Sequence, residues 1–273
     1  MPAQLLDGKS LAKNIRAKIK QNIQTSGVTP GLAIVLVGND PASHLYVSLK
    51  EKTAKEVGMH FEKHLFFATE PEEKIIEKIG ALNEQKDIHG IIVQLPLPES
   101  INEESIINAI DPKKDVDGFH PKNIALLLAG TPRRIPAVIR GILTLIEETG
   151  TILPQKKVFI LSNSDIFASP LKKLLNDRQC AVRALHPKKK DPLPSLMNAD
   201  LIISALGRPH AITKEMVKDG VIVIDVGTTR EKEKTLGDVH PNVAEKTAWL
   251  TPVPGGVGPM TVAMLLQNVV EAV

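Results

Sequence analysis

The sequence predicts an α/β fold in two domains, each built on a parallel sheet with helices on both faces. Three observations carry this expectation. Strand-like and helix-like segments alternate along almost all of the 273 residues, the βαβα rhythm of parallel sheets. Several strand candidates are unbroken apolar runs, "LAIVLVG" (32–38), "GIIVQL" (90–95) and "GVIVIDVG" (220–227), as strands buried on both faces must be. Apolar content of 42% and charged content of 24% match an ordinary globular chain long enough for two modest cores.

The elements follow in order. Leu11, Ile15, Ile19 and Ile23 recur every four residues, which predicts an amphipathic helix over 9–24. After the strand at 32–38, Asn39-Asp40-Pro41 opens a helix running to about Val57. A strand is expected near 60–66, a helix over 71–85 ("PEEKIIEKIGALNEQ") and a strand at 90–95. The turn-rich "DPKKDVDGFHPKN" (111–123) leads into a junction between about 118 and 140. Further strands are expected at 158–161, 180–185, 200–206 and 220–227. In "KVFILSNSDIFASP" (157–170), Ser169 as N-cap and Pro170 at the first helical position predict where the next helix starts. The closing "GPMTVAMLLQNVVEAV" is a helix apolar on several faces, and returning to the first domain would give it a groove.

Composition narrows the function classes. The formal charge is +3, and the only dense basic run, Lys188 to Lys190, has no aromatic residues beside it for base stacking, so no nucleic-acid partner is expected. No apolar run is long enough for a membrane span, and the start lacks a secretory pattern, so the expectation is a cytoplasmic chain with no membrane partner. The single cysteine, Cys180, excludes an internal disulfide, and no Cys/His spacing points to structural zinc; no metal is expected.

Four motifs are candidates for chemistry. Tyr46 and Lys50 in "YVSLK" lie one helical turn apart and share a face. A tyrosine there offers a flat aromatic surface, and a lysine in an apolar pocket exchanges protons near neutrality; a solvated lysine beside a half-buried tyrosine is the plain alternative. Gln94 in "VQLPLP" ends a buried strand, where open α/β sheets collect ligands, although it could simply cap backbone groups. Asp115 and Asp117 in "DVDGFHP" suit bidentate hydrogen bonding or an Asx-turn. "TPVPGGVGPMT" (251–261) packs three prolines and three glycines into eleven residues, a rigid loop that is either a binding element or an elaborate connection.

Taken together and in this order, "YVSLK", "VQLPLP", "KKDVDGFHP", "IDVG" and "TPVPGGVGPMT" closely resemble the methylenetetrahydrofolate dehydrogenase/methenyltetrahydrofolate cyclohydrolase family over the whole chain. The resemblance implies a folate-binding catalytic domain at 1–118, completed by the C-terminal helix 258–273, and a Rossmann-like NADP-binding-type domain at 119–257. It implies a homodimer that oxidises methylenetetrahydrofolate with NADP and hydrolyses the methenyl product to formyltetrahydrofolate. By the same carry-over Lys50 is the catalytic lysine of the hydrolysis, Gln94 orients it, Tyr46 stacks near the ligand's aromatic part and Asp117 hydrogen-bonds the pterin. Substrate contacts are implied for Pro254, Gly255, Gly256, Gly258, Pro259 and Thr261.

The departures from the family pattern gather on the cofactor side. Aligned on Pro170, the family's turn reads G-x-S-x-x-V-G-x-P, and here Ser162 and Ala168 replace both glycines while Ser164 remains. Asn163 stands where an arginine is usual, "LHPKKK" (185–190) replaces a Cys-His-Ser-x-Thr string, Pro136-Ala137-Val138-Ile139 replaces Pro-Cys-Thr-Pro, and Thr228-Thr229 replaces Ile-Asn. A Cβ at residue 162 or 168 would obstruct a pyrophosphate or a positive-φ turn, so weak or absent NADP binding and a doubtful dehydrogenase are expected. If a dinucleotide binds, Lys188 and Lys189 favour NADP over NAD, and Ser162, Asn163, Ser164, Ala168 and Thr228 line its site. The alternatives are a non-catalytic folate-binding or dimer-partner paralogue and an NADP oxidoreductase for another substrate.

Overall fold

The computed structural model of the chain describes residues 4–188, 191–232 and 234–273. The first half runs β1 (Gln4–Leu5), α1 (Gly8–Ser26), β2 (Gly31–Val37), α2 (Pro41–Val57), β3 (His60–Phe66), α3 (Glu72–Glu84), β4 (Gly90–Val93), α4 (Glu103–Asn108), α5 (Pro121–Leu128) and α6 (Ala137–Glu148). The second runs β5 (Lys157–Ser162), α7 (Asp165–Asp177), β6 (Ala181–Leu185), β7 (Leu201–Ala205), β8 (Val221–Asp225), β9 (Thr229–Glu231), β10 (Lys234–Leu236), β11 (Thr247–Leu250) and α8 (Val257–Val270).

Two compact units emerge. One comprises Lys13–Ala137 with Val262–Val273; the other comprises the described residues up to Ala12 with Val138–Thr261. The boundaries differ from those expected at three places, one being that residues 258–261 of the closing helix count with the second unit. Gln4 and Leu5 pair in parallel with Trp249 and Leu250, so the first strand counts with the second unit. The segment from 119 to Ala137 counts with the first unit, where the Ala137 N–H donates to the Asp117 carbonyl at 3.0 Å.

The first unit is built on a three-stranded parallel sheet in the order β3-β2-β4. Every residue of β2 is buried, which accounts for its continuous apolar run. Ala33, Val35 and Val37 share one face and pack in one cluster with Ile75, Ile79 and Leu82, the i, i+4, i+7 stripe of α3. The returning C-terminal segment is tied in by Asn268, whose amide donates to the Val116 and Ile135 carbonyls at 2.9 and 3.2 Å.

The second unit carries a six-stranded parallel sheet in the order β1-β11-β8-β7-β5-β6, with a separate two-stranded hairpin of β9 and β10. The chain steps from β5 outward to β6, then returns to the other side of β5 for β7. The carboxyl ends of β5 and β7 therefore flank the point where strand order reverses, the place where such sheets bind ligands.

One local expectation is corrected. The helix after β5 is capped by Ser164, whose Oγ accepts from the Phe167 N–H at 3.4 Å, and Pro170 lies inside it. Ser169 is not the cap. A proline this close to a helix start forfeits one hydrogen bond, to the Ile166 carbonyl, and Ile166 is exposed, where water can take that role.

Candidate functional site

Lys50 sits on a helix whose start is specified locally. The Asp40 carboxylate accepts from the Ser43 N–H at 2.8 Å, Pro41 occupies the first turn, and Gly58 closes the other end in the left-handed conformation. Tyr46 and Lys50 then stand one turn apart, Tyr46 exposed and Lys50 half-buried. Gln94 arrives from the carboxyl end of β4, its N–H fixed to the Val35 carbonyl at 2.9 Å. The Gln94 amide donates through Nε2 to the Leu95 carbonyl at 2.7 Å, which turns Oε1 toward the lysine. Lys50 Nζ donates to that Oε1 at 2.9 Å.

Asp117 comes from a loop that Asp115 builds. The buried Asp115 carboxylate accepts from the Gly118 N–H, the His120 N–H and the Asn123 amide at 2.9, 2.9 and 2.8 Å. Gly118 follows with φ +89, and a Cβ there would stand 2.7 Å from the Pro136 Cα, so neither its conformation nor its surroundings admit a side chain. Asp115 is thus the turn former, and Asp117 is left to act on something else.

The electrostatics are those of a proton-handling site. Burial holds the Lys50 ammonium below its ordinary range, with the Asp117 charge opposing part of that shift. Burial pushes the Asp117 carboxyl up, Lys50 draws it back, and Asp115 adds to the rise. Both groups move toward their neutral forms, which brings the amine closer to exchanging a proton near neutral pH.

The four residues Tyr46, Lys50, Gln94 and Asp117 all belong to the first unit; the "TPVPGGVGPMT" loop belongs to the second. Within that unit the loop is held by its own backbone. The Thr251 N–H donates to the Val223 carbonyl at 3.1 Å, and the Thr251 hydroxyl accepts from the Asp225 N–H at 2.7 Å. The Val253–Pro254 peptide is cis, the Gly256 N–H donates to the Pro252 carbonyl at 2.8 Å, and Gly258, Pro259 and Thr261 form the first turns of α8. The Thr261 hydroxyl is spent on the Val257 carbonyl at 3.0 Å.

On the side where strand order reverses, the substituted turn is self-sufficient. The buried Ser162 hydroxyl accepts from the Ser164 N–H at 3.0 Å, and Asn163 bridges to the Leu206 carbonyl at the end of β7 at 2.9 Å. Ala168 is a buried residue in the second turn of α7. Neither Ser162 nor Ala168 has a positive φ, so a strained turn does not oppose a cofactor here. Asp165, its side chain 85% exposed, puts a negative charge on the first turn of α7. Thr228 is exposed after β8, Lys188 lies in the turn after β6, and Lys189 lies outside the described residues.

Two residues in this region, Arg208 and Asp238, escaped sequence reasoning, as did the partners of a third, Asp225. The Arg208 Nη2 donates to the Asp191 carbonyl at 3.0 Å, while its buried Nη1 has no partner among the described residues. Asp238, fully buried, accepts from the Ser204 hydroxyl and from the Leu206 and Arg208 N–H groups, each at 2.7 Å. Asp225 accepts from the Gly227, Asp238 and Val239 N–H groups at 3.0, 3.1 and 2.9 Å. Burial pushes the Asp225 carboxyl up to about 7, partly offset by these bonds. The two carboxylates pin the loops that follow β7 and β8. Beforehand only Asp225 was on view, within the "IDVG" string and without its partners.

Comparison with known proteins agrees with this division of labour. The model of the tetrahydrofolate dehydrogenase/cyclohydrolase catalytic domain matches residues 6–117, and that of the family's NAD(P)-binding domain matches 136–273. The chain belongs to the tetrahydrofolate dehydrogenase/cyclohydrolase family. The bifunctional protein FolD of Moorella thermoacetica is 44% identical, covering 100% of this chain and 99% of that protein. The crystal structure of the bifunctional enzyme FolD from Campylobacter jejuni is 38% identical with a TM-score of 0.94, over 99% of this chain and 98% of that one. The Trypanosoma brucei enzyme, solved with NADP and an inhibitor, is 32% identical with a TM-score of 0.93, over 100% of this chain and 97% of that one. Tyr46, Lys50, Gln94 and Asp117 all fall within the stretch matched by the family's catalytic domain, or at its last residue.

Proposed function

We propose that this chain hydrolyses 5,10-methenyltetrahydrofolate to 10-formyltetrahydrofolate with Lys50 as its proton-transfer group. The single observation that carries this reading is the 2.9 Å hydrogen bond from a desolvated lysine to Gln94. Water adds to the amidinium-like carbon of the methenyl bridge and loses a proton. One of the two carbon–nitrogen bonds then breaks, and the departing nitrogen takes up a proton. Lys50 mediates this transfer while Gln94 holds its amine in line, a contribution of about 10²–10⁴ in rate. Asp117 binds the pterin through its carboxyl group, and Tyr46 offers its exposed ring to the ligand's aromatic part. We propose substrate contacts for Pro254, Gly255, Gly256, Gly258, Pro259 and Thr261 by family resemblance alone.

We further propose that the second unit binds NADP and that the methylenetetrahydrofolate dehydrogenase is retained. Bound NADP would supply the hydride acceptor. The chain's own contribution would be to hold it: the amino end of α7, which also carries Asp165, faces the position of a pyrophosphate in such folds, and the buried Arg208 Nη1, without a partner among the described residues, suits a further phosphate oxygen. Asn163, Lys188 and Thr228 follow the carboxyl ends of β5, β6 and β8, with β7 between β5 and β8. Weak binding was expected from the loss of two glycines, and the ordinary backbone at Ser162 and Ala168 removes the strained-turn part of that reason.

The active form is proposed to be a homodimer. β3 is an unpaired sheet edge, and Leu65 and Phe67 are 56% and 71% exposed beside the exposed Leu45 and Leu49 of α2. A second copy would cover this face. Leu65→Glu should shift the mass seen by light scattering from two chains to one; an unchanged mass would place the interface elsewhere.

The assay that tests the central reading is the loss of methenyltetrahydrofolate absorbance in the presence of the purified chain. A non-catalytic binding paralogue, the competing reading, would bind folate and leave the spectrum's decay at its uncatalysed rate.

A further inference from the structure

The string "HFEKH" (60–64) is an H-x-E-x-H pattern on a strand. With a period of two, His60, Glu62 and His64 point to the same face of β3. Both imidazoles turn to the one carboxylate. His60 Nε2 lies 3.2 Å from Glu62 Oε1, and His64 Nε2 lies 2.8 Å from Oε2. A fourth group arrives from the other side of the sheet's amino end, where Asp87 ends the connection from α3 to β4. Gly31, at the start of β2, is what admits it: a Cβ there would stand 1.8 Å from the Asp87 carbonyl oxygen. The approach is fastened by the Gly31 N–H donating to His89 Nδ1 at 3.0 Å and the His89 N–H donating to the Gly31 carbonyl at 2.8 Å. The donor atoms of His60, Glu62 and Asp87 all lie within 4.8 Å of one another.

We propose that His60, Glu62 and Asp87, with His64 beside them, form a zinc-type divalent cation site at the amino end of the first unit's sheet. Tetrahedral zinc with nitrogen and oxygen ligands at about 2.0–2.2 Å brings donors to within about 3.3 Å of each other. Closing from the present spacing needs only side-chain rotation of His60 and Asp87, both exposed. Mixed imidazole and carboxylate donors favour Zn²⁺, Ni²⁺ or Cu²⁺ over Mg²⁺ and Ca²⁺, which take oxygen alone. The surrounding charges are compatible with a dication. Lys63 is turned to Glu51 of α2 at 3.2 Å, on the other face of the strand.

The site is remote from the proposed chemistry. His60 pairs with Gly31 at the start of β2, while Gln94 follows β4 beyond its pairing with Val35, about 15 Å farther along the strands. A cation there would touch no reacting atom. It would instead clamp edge strand β3 to the segment entering β4, across β2. Its effect is therefore expected on the stability of the first unit rather than on turnover.

The test is a titration of untagged, chelator-treated protein with Zn²⁺ against a chromogenic chelator, together with thermal melts. One Zn²⁺ per chain with micromolar or tighter affinity is expected, with a higher melting temperature and unchanged hydrolysis. His60→Ala and Asp87→Asn should each weaken binding about tenfold or more. The isosteric Glu62→Gln, which keeps the strand's packing, should do the same, and His186→Gln in the other unit should change nothing. No saturable binding up to millimolar Zn²⁺, Mg²⁺ competing equally, or full affinity retained in both the His60 and Asp87 variants would overturn the site.

Discussion

Lys50 Nζ and Gln94 Oε1 lie 2.9 Å apart, joining helix α2 to the end of β4 across 44 residues of sequence. The glutamine has no charge with which to raise the lysine's pKa, yet it fixes where the amine points. Burial is then free to pull the lysine toward its neutral form, against the attraction of Asp117.

Lys50→Met is expected to abolish hydrolysis and leave the fold intact. The methionine keeps the length of the stem and removes a desolvated charge, which the site tolerates. The loss should be about 10²–10⁴ in kcat, read from methenyltetrahydrofolate decay, with folate affinity little changed. Near-normal turnover would remove Lys50 from the chemistry.

Asp117→Asn should have two separable effects. Loss of a charge-assisted hydrogen bond to the pterin should cost about 1.5–3 kcal/mol in folate binding. The same change removes the negative charge that holds the Lys50 pKa up, so that pKa should fall further. If the neutral amine is the active form, the rising limb of the hydrolysis pH profile moves to lower pH. A limb that stays in place or moves upward would contradict the coupling.

Ser162→Gly with Ala168→Gly tests the substituted turn. The double variant should gain little NADP affinity by calorimetry, because neither residue holds a positive φ and only any crowding by the two side chains is relieved. It should melt lower. Glycine costs about 1 kcal/mol in a helix interior, and the Ser162 hydroxyl that receives the Ser164 N–H is lost. Arg208→Ala should weaken NADP binding instead. A large gain from the two glycines would restore the view that these side chains block the cofactor.

Asp225 gives the second unit a pH-dependent stability. Its carboxyl titrates at about 7 in the folded chain against an ordinary value of 3.8. The folded state therefore holds this proton more tightly than the unfolded one. The contribution is present in full below the ordinary carboxylate range and is lost as pH rises toward about 7. Asp225→Asn should lower stability overall, since an amide nitrogen cannot accept from an N–H, and denaturant melts should show the expected decline between about pH 4 and 7 flattened in the variant. An identical pH slope in both proteins would assign the decline to other groups.

Much of this architecture was legible in the sequence because burial on both faces leaves an uninterrupted apolar run, as in Leu32–Val37 and Val221–Ile224. Helix starts were legible where one cap stood alone, as at Asp40 before Pro41. At α7 two serines competed, and the proline at 170 favoured the wrong one; Ser164 prevails because β5 ends at Ser162 and the turn is complete by 164. The pairing of Lys50 with Gln94 was visible only through family resemblance, since nothing local in either motif specifies a partner so far away. The Asp225–Asp238 support and the buried Arg208 Nη1, without a partner among the described residues, were hidden for the same reason.

The short first strand has a consequence for how the chain comes into being. Gln4 and Leu5 are made well before the strand they pair with, which holds Trp249 and Leu250. The sheet of the second unit therefore cannot seat β1 at its edge until Trp249 and Leu250 have been made. During elongation those two residues wait with unpaired backbone while the three-stranded sheet of the first unit, whose strands all lie between Gly31 and Val93, is free to assemble. Vectorial synthesis thus lets the sheet of the lysine-bearing unit form early, while that unit still awaits Val262–Val273 and β1 awaits β11.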